Sequence, residues 1–272
     1  MKRVEQIIRY ILTGYIFERR KMNKKMKKFV GENLNGISDS IDKKIVVYTV
    51  VFGNYDKIQE PYFKSKYIDY YAITDQPLSE MSIWKKIDIQ KFSDITNLSL
   101  KDKSRYFKIH PEYIFPEYDF SIYLDGNVQL AENPFKIINK MVSEKKLIAL
   151  HNHSLRDCVY NEGRIIIAFG VGKIKDVKKQ LKKYKKEGFP RHFGLFDNCI
   201  IVRMHNEDDC KKVMNVWWNE YMMCPCKRDQ LTFVYSLWKV GMKKEDLFSL
   251  GSNAYANPTF RIVEHESKVQ VK

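Results

Sequence analysis

Asp125-Gly126-Asn127 follows an apolar run, Phe120 to Leu124, and is the stretch whose spacing most suggests chemistry. On a strand end, residues i and i+2 point the same way, so Asp125 and Asn127 would present two oxygens side by side. Two such oxygens suit Mg²⁺ or Mn²⁺ already carried by a diphosphate. Gly126 would let the backbone approach phosphates closely. On spacing alone, however, Asp-Gly-Asn is also an ordinary turn.

Other polar groups fall at comparable positions. One strand-like run ends in Phe52-Gly53-Asn54-Tyr55-Asp56, and another ends in Thr74-Asp75. Tyr55 could stack on a base and Asp75 could accept from its ring or from ribose hydroxyls, although turn chemistry accounts for both. Arg105 and Lys108 are three apart on one helical face, where both can meet a diphosphate. An exposed basic face is the plain alternative.

These residues need a scaffold that gathers strand ends. Ile45–Phe52, Asp69–Asp75, Trp84–Ile89, Phe120–Asp125, Leu147–His151 and Asp197–Arg203 read as strands, several of them β-branched and bounded by Gly, Asn or Pro. Helices are expected at 100–115 (short or kinked at Pro111), 134–143 with Asn133 as cap, 154–168, 173–187, 206–222 and 228–240. Strands alternating with helices predict an α/β fold with a mainly parallel sheet covered on both faces. In such sheets ligands sit at the carboxyl ends of strands. No internal repeat is present.

The chain of 272 residues carries 48 Lys/Arg against 33 Asp/Glu, a formal charge of +15, which invites an acidic partner. Residues 1–28 hold ten Lys/Arg against Glu5 and Glu18, around an apolar stretch from Ile7 to Phe17. That segment reads either as a helix lying on an anionic membrane surface or as an ordinary packing helix. Residues 32–43 are polar and turn-rich, so the expected division is an N-terminal extension 1–43, a catalytic domain 44–265 and a tail 266–272. A second basic stretch, 173–191, reads as solvated helix surface. No uninterrupted apolar run reaches the length of a membrane span, and no cleavage-site pattern marks a secretory signal. Five cysteines without such a signal fit a reducing compartment, so a cytoplasmic chain, peripheral on the inner membrane face, is expected. Cys224-Pro-Cys226 is too tightly spaced for a zinc knuckle. Phosphate-binding Gly-x-x-x-x-Gly-Lys loops, His-Glu-x-x-His and Gly-x-Ser-x-Gly are absent, and Phe169-Gly-Val-Gly172 is too short for a dinucleotide fingerprint.

Taken in order, a set of short motifs resembles the glycosyltransferase-like family once catalogued as domain of unknown function 616. They are Tyr48–Asp56, Tyr71–Asp75, Arg105–Pro111, Ile122–Asn127, His151–Glu162, Gly194–Asn198 and Arg228–Phe233. The resemblance implies a GT-A fold, Rossmann-like, and a nucleotide-diphosphate sugar as donor substrate. It sets Asp125 and Asn127 in the place of a metal-binding Asp-x-Asp motif, with neutral Asn127 as the departure, and it makes His265 a candidate third ligand. Asp125 is then expected to be the main protein ligand and Asn127 a weaker or indirect one. Mn²⁺ or Mg²⁺ would assist, and Phe52, Gly53, Tyr55, Asp75, Arg105, Lys108, Asp125, Gly126 and Asn127 would surround the donor. His153 and Arg156 would lie close to the sugar. Asp229 would bind sugar hydroxyls or act as base on an acceptor hydroxyl, although as a helix N-terminal acid it needs no function.

The resulting expectation is a hexosyltransferase-like, metal-dependent enzyme of polysaccharide biosynthesis, acting on a surface glycan or glycolipid acceptor. Two rivals stand beside it. One is a nucleotide-sugar hydrolase or phosphotransferase using the same diphosphate site. The other is a basic nucleic-acid-binding module, which the orderly strand-end polar residues argue against.

Overall fold

Ile45–Val51 forms β1, buried along its whole length. Its alternate residues feed two different cores: Val46, Tyr48 and Val50 enter one, and Ile45 and Val47 the other. A β-branched run with both faces apolar can only be a central strand. The structure, a computed structural model, describes residues 42–263. The basic extension, His265 and the expected tail therefore lie outside the described residues.

The strands are β1 (Ile45–Val51), β2 (Ile68–Thr74), β3 (Lys85–Lys86), β4 (Phe120–Leu124), β5 (Val128–Leu130), β6 (Ile148–Asn152), β7 (Phe196–Arg203), β8 (Phe248–Ser249) and β9 (Phe260–Ile262). The helices are α1 (Leu100–Ile109), α2 (Phe135–Ser143), α3 (Val159–Ala168), α4 (Ile174–Lys186), α5 (Asp208–Met223) and α6 (Asp229–Lys239). Seven strands form one sheet in the order β3-β2-β1-β4-β7-β6-β8, and β5 pairs with β9 apart from it. Within the large sheet β7 alone runs antiparallel to its neighbours. Helices α1 and α3 to α6 cover one face, while α2 and the β5–β9 pair cover the other. This is the α/β layering with a mainly parallel sheet expected from the sequence.

The larger core is aromatic. Trp217, Phe233, Tyr184 and Tyr235 are fully buried, and Tyr184 stacks on Tyr235 with centroids 4.2 Å apart. Each such side chain withdraws enough apolar surface to contribute roughly 1.5–3 kcal/mol.

Three expectations about elements need correction. The third strand shrinks to Lys85–Lys86, because Asp88 accepts from Gln90 N at 3.0 Å and starts a 3-10 turn. The helix expected from residue 154 begins at Val159. His153 Nδ1 accepts from the backbone N–H of Leu155 and Arg156 at 3.2 and 3.1 Å, which satisfies those donors in a loop instead. Strands β5, β8 and β9 were not expected; each is only two or three residues long, too short to show periodicity. The helix at 100–115 stops at Ile109, as Pro111 requires, and a 3-10 turn follows.

Candidate active site

The ends of β1, β2 and β4 meet at one edge of the sheet. After β1 the chain turns sharply through Gly53 and Asn54, at φ 66° and 51°. Glycine and asparagine are the residues that accept this left-handed region most readily. Both oxygens of Asp75, just past β2, accept from Gly53 N, at 3.1 and 2.9 Å. Asp75 thus fixes the β1 loop, and Tyr55 beyond that turn is 66% exposed. A cavity of about 550 Å³ opens here, bordered by the β1 loop, α1, Asp125, Gly126 and Arg228.

Helix α1 delivers two cations. Ser99 caps its start, accepting from Asp102 N at 3.1 Å. At the other end, Lys108 O accepts from Tyr48 OH at 3.0 Å and from Arg203 Nη2 at 2.9 Å. The Lys108 side chain is 2% exposed, and its Nζ lies 3.1 Å from Asp229 Oδ2 and 3.5 Å from Asp125 Oδ1. Arg105 Nε pairs with the same Asp229 oxygen at 3.1 Å. Tyr123 OH donates to Asp125 Oδ1 at 2.6 Å, and Lys108 Nζ sits 5.0 Å from the Tyr123 ring centre.

Asp229 opens α6, and burial alone would raise its pKa. Arg105 and Lys108 outweigh burial and hold the carboxyl well below the usual carboxylate range. Arg105 is pushed up, chiefly by Asp229. An ionised carboxylate clamped by two cations is a weak base. The base role expected for Asp229 therefore gives way to anchoring. The cavity itself is cationic: Lys101, Arg105 and Arg228 line it, against Asp56 and Asp125. Lys101 is pushed down, by desolvation first and then by Arg105 and Arg228. Desolvation and like-charged neighbours acting on one cavity-lining lysine are a pattern typical of functional sites.

Gly126 has a packing role as well as its place at the cavity. A Cβ there would lie 2.4 Å from Val51 Cγ2 and 3.2 Å from Asp56 Cβ. Its close approach is to β1 and its loop, and it also borders the cavity. Asp125-Gly126-Asn127 is a turn, closed by Val128 N donating to Asp125 O at 2.8 Å. The strand alternation that would align Asp125 with Asn127 does not apply. Asn127 is 7% exposed. Its Nδ2 donates to Val263 O at 2.9 Å, and Val263 N donates to Asn127 O at 2.8 Å. Asn127 thus secures the segment after β9.

Among the described residues, no group of three or more His, Cys, Asp or Glu could hold a metal ion. A preformed protein cage does not fit. A divalent ion carried by a diphosphate does fit, since such ions keep phosphate oxygens and need one or two carboxylates. Asp125, with its side chain 36% exposed at the cavity wall, supplies one. His265 lies outside the described residues.

His153 and Arg156 sit apart from the cavity lining, in a second polar cluster on the same edge. Arg156 Nε pairs with Glu162 Oε2 at 2.5 Å. His153 is pushed down to about 3, by burial and then by Arg156, so it is neutral at physiological pH. Lys101, Ser104 and Arg228 line the cavity as well, and were not expected there from the sequence. The signal was available on α1, where Lys101 and Arg105 are four apart and share a face.

The model of the TOD1/MUCI70 glycosyltransferase-like domain matches residues 11–265. A curated relative, the "Probable hexosyltransferase MUCI70" of Arabidopsis thaliana, is 26% identical over 216 residues, covering 70% of this chain and 36% of that protein. The chain thus spans about a third of that relative's length. Among solved structures, the mannosyltransferase Ktr4p from S. cerevisiae in complex with GDP aligns at 11% identity and TM-score 0.45, covering 85% of this chain and 78% of that one. Core-mannan synthase A from Aspergillus fumigatus, in its Mn/GDP form, aligns at 9% identity and TM-score 0.41, covering 83% and 75%. These structural likenesses are too loose to transfer a residue's role.

Proposed function

Because this chain belongs to the TOD1/MUCI70 glycosyltransferase-like domain family, we propose that it transfers a hexose from a nucleoside-diphosphate sugar to a hydroxyl acceptor. The observation that carries the reading is the pair Arg105 and Lys108, held by the largely enclosed Asp229 (side chain 14% exposed) beside a cavity with two further cations. Cations fixed before the ligand arrives cost no reorganisation as charge builds on a leaving diphosphate.

In this reading Arg105, Lys101 and Arg228 bind the diphosphate, and Lys108 supports Asp125 from behind. Tyr55 stacks on the base, while Phe52, Gly53 and Asp75 shape the loop that receives it. Asp125 holds Mn²⁺ or Mg²⁺ jointly with the diphosphate. The ion would neutralise part of the leaving group's charge. Asp229 orients the cations, and Arg156 with His153 borders the sugar end. Residues 44–265 form the catalytic unit. The acceptor is a growing surface glycan or a lipid-linked saccharide, reached from the cytoplasmic face of a membrane. The basic segment 1–28 supports that placement through its attraction to anionic lipid.

The test is a thermal-shift screen of nucleotide sugars with and without Mn²⁺, followed by a transfer assay with the donor found. A metal-dependent rise for one donor, and its loss in Asp125→Ala with circular dichroism unchanged, is expected. Full turnover in Asp125→Ala sinks the assignment. Release of free sugar at a rate that no acceptor raises would mean a hydrolase instead.

A further inference from the structure

Asp197 belongs to neither cation cluster, yet it stands between them. Asp125 N donates to Cys199 O at 2.8 Å, so β7 carries the residue next to Asp125. Asp197 lies two residues earlier on the same strand and the same face. The pairing with β6 shifts register between Ala149–Val202 and His151–Asp197, so β7 is irregular just beyond Asp197. On its other side Asp197 pairs with His151 of β6, the strand that leads to His153 and Arg156.

Its surroundings do not account for a carboxylate. Burial first, and then Glu162, push its pKa up to about 7, against the pull of Arg156. Arg156 itself pairs with Glu162, and Lys108 pairs with Asp229 and Asp125. Gln230 Nε2 donates to Asp197 Oδ1 at 3.3 Å, long for such a bond. The same Nε2 donates to Phe196 O at 2.9 Å. Gln230 directly follows Asp229 on α6, so one helix start sets both the cation pair and the Asp197 side chain. A carboxylate accepts about four hydrogen bonds, and a half-buried one with a single long donor retains capacity for more. Adjacent sugar hydroxyls offer such donors without charge.

We infer that Asp197 receives hydroxyls of the donor's hexose, one strand repeat beyond the residue beside Asp125, with Gln230 as its positioning residue. The inference rests on the glycosyl-transfer reading and adds to it the wall that selects the sugar. Removing a hydrogen bond to a charged group costs about tenfold or more in affinity.

At pH 8.5, above the raised pKa of Asp197, Asp197→Asn keeps the shape and removes the charge. Calorimetric titration of wild type and variant with UDP-glucose, UDP-galactose and GDP-mannose, each beside bare UDP or GDP and with Mn²⁺ present, separates the contributions. For whichever nucleotide sugar the wild type binds, the variant should lose about tenfold in affinity and hold its affinity for the bare diphosphate within about twofold. Gln230→Ala should show the same split at smaller size. Equal binding of the nucleotide sugar by wild type and Asp197→Asn, or parallel weakening of sugar nucleotide and bare diphosphate, overturns the inference. A wild type that binds no nucleoside diphosphate fails at the underlying reading, and the inference falls with it.

Discussion

Lys108 Nζ and Asp229 Oδ2 lie 3.1 Å apart although 121 residues separate them in sequence. The pair ties α1 to the first residue of α6 beneath the cavity. The backbone of Lys108 is fixed as well, by Tyr48 from β1 and Arg203 from β7. The ammonium therefore has little freedom, and neither has the carboxylate.

Asp229→Asn should leave Arg105 and Lys108 facing a neutral amide. Breaking a buried pair from one side destabilises by roughly 3–5 kcal/mol. Urea denaturation should show a loss of that order. A loss below about 1 kcal/mol would mean that the ion pairs are dispensable to the fold.

Gly126→Ala introduces a methyl 2.4 Å from Val51 Cγ2. Overpacking of this kind costs about 1–3 kcal/mol. The double variant Val51→Ala/Gly126→Ala should recover part of that, giving a coupling energy in a double-mutant cycle. Additive effects would show that the two residues do not meet.

Asn127→Asp restores an Asp-x-Asp pattern on paper. In the structure it replaces the donor to Val263 O with an acceptor, and it buries a charge. We predict a loss of about 1–3 kcal/mol in stability and no gain in Mn²⁺ affinity. Tighter metal binding in this variant would return Asn127 to the ligand set.

The pH dependence of stability should carry opposite signs at two carboxyls. Asp197, raised to about 7, keeps its proton in the native state where the unfolded chain has lost it. Its contribution therefore worsens as pH rises from about 4 to about 7 and then levels off. The groups facing it are Glu162 on α3, Arg156 in the loop before α3, His151 on β6 and Gln230 on α6. Between pH 5 and pH 8, Asp197→Asn should gain on wild type in chemical denaturation, and an unchanged difference would contradict this. Asp229, held low, stabilises above about pH 4 and loses that contribution on acidification.

What could be read in the chain beforehand follows from the range of each interaction. The strands β1, β2 and β4 announce themselves because β-branched runs end in Gly, Asn or Pro. Arg105 and Lys108 were legible as one helical face. Asp229 was expected at the site, as a sugar-binding residue or base, but not as their anchor, because nothing local reveals that α6 begins beneath α1. Asp125–Asn127 was open to two readings, since the same residues suit a strand end and a turn, and the partner of Asn127, Val263, lies 136 residues away. Asp197 was hidden in a strand pattern, where a single polar residue reads as the solvent side.

The bond between Asn127 and Val263 spans 136 residues. During synthesis, a ribosome that has released β1, β2, α1 and β4 has released most of the cavity wall, but the Asp125 turn still lacks its strap. The β5–β9 pair and the Asn127 bond wait for residues 260–263 to emerge. Contacts this distant close late and slowly. The strap between Asn127 and Val263 can therefore close only after nearly the whole catalytic domain has been made.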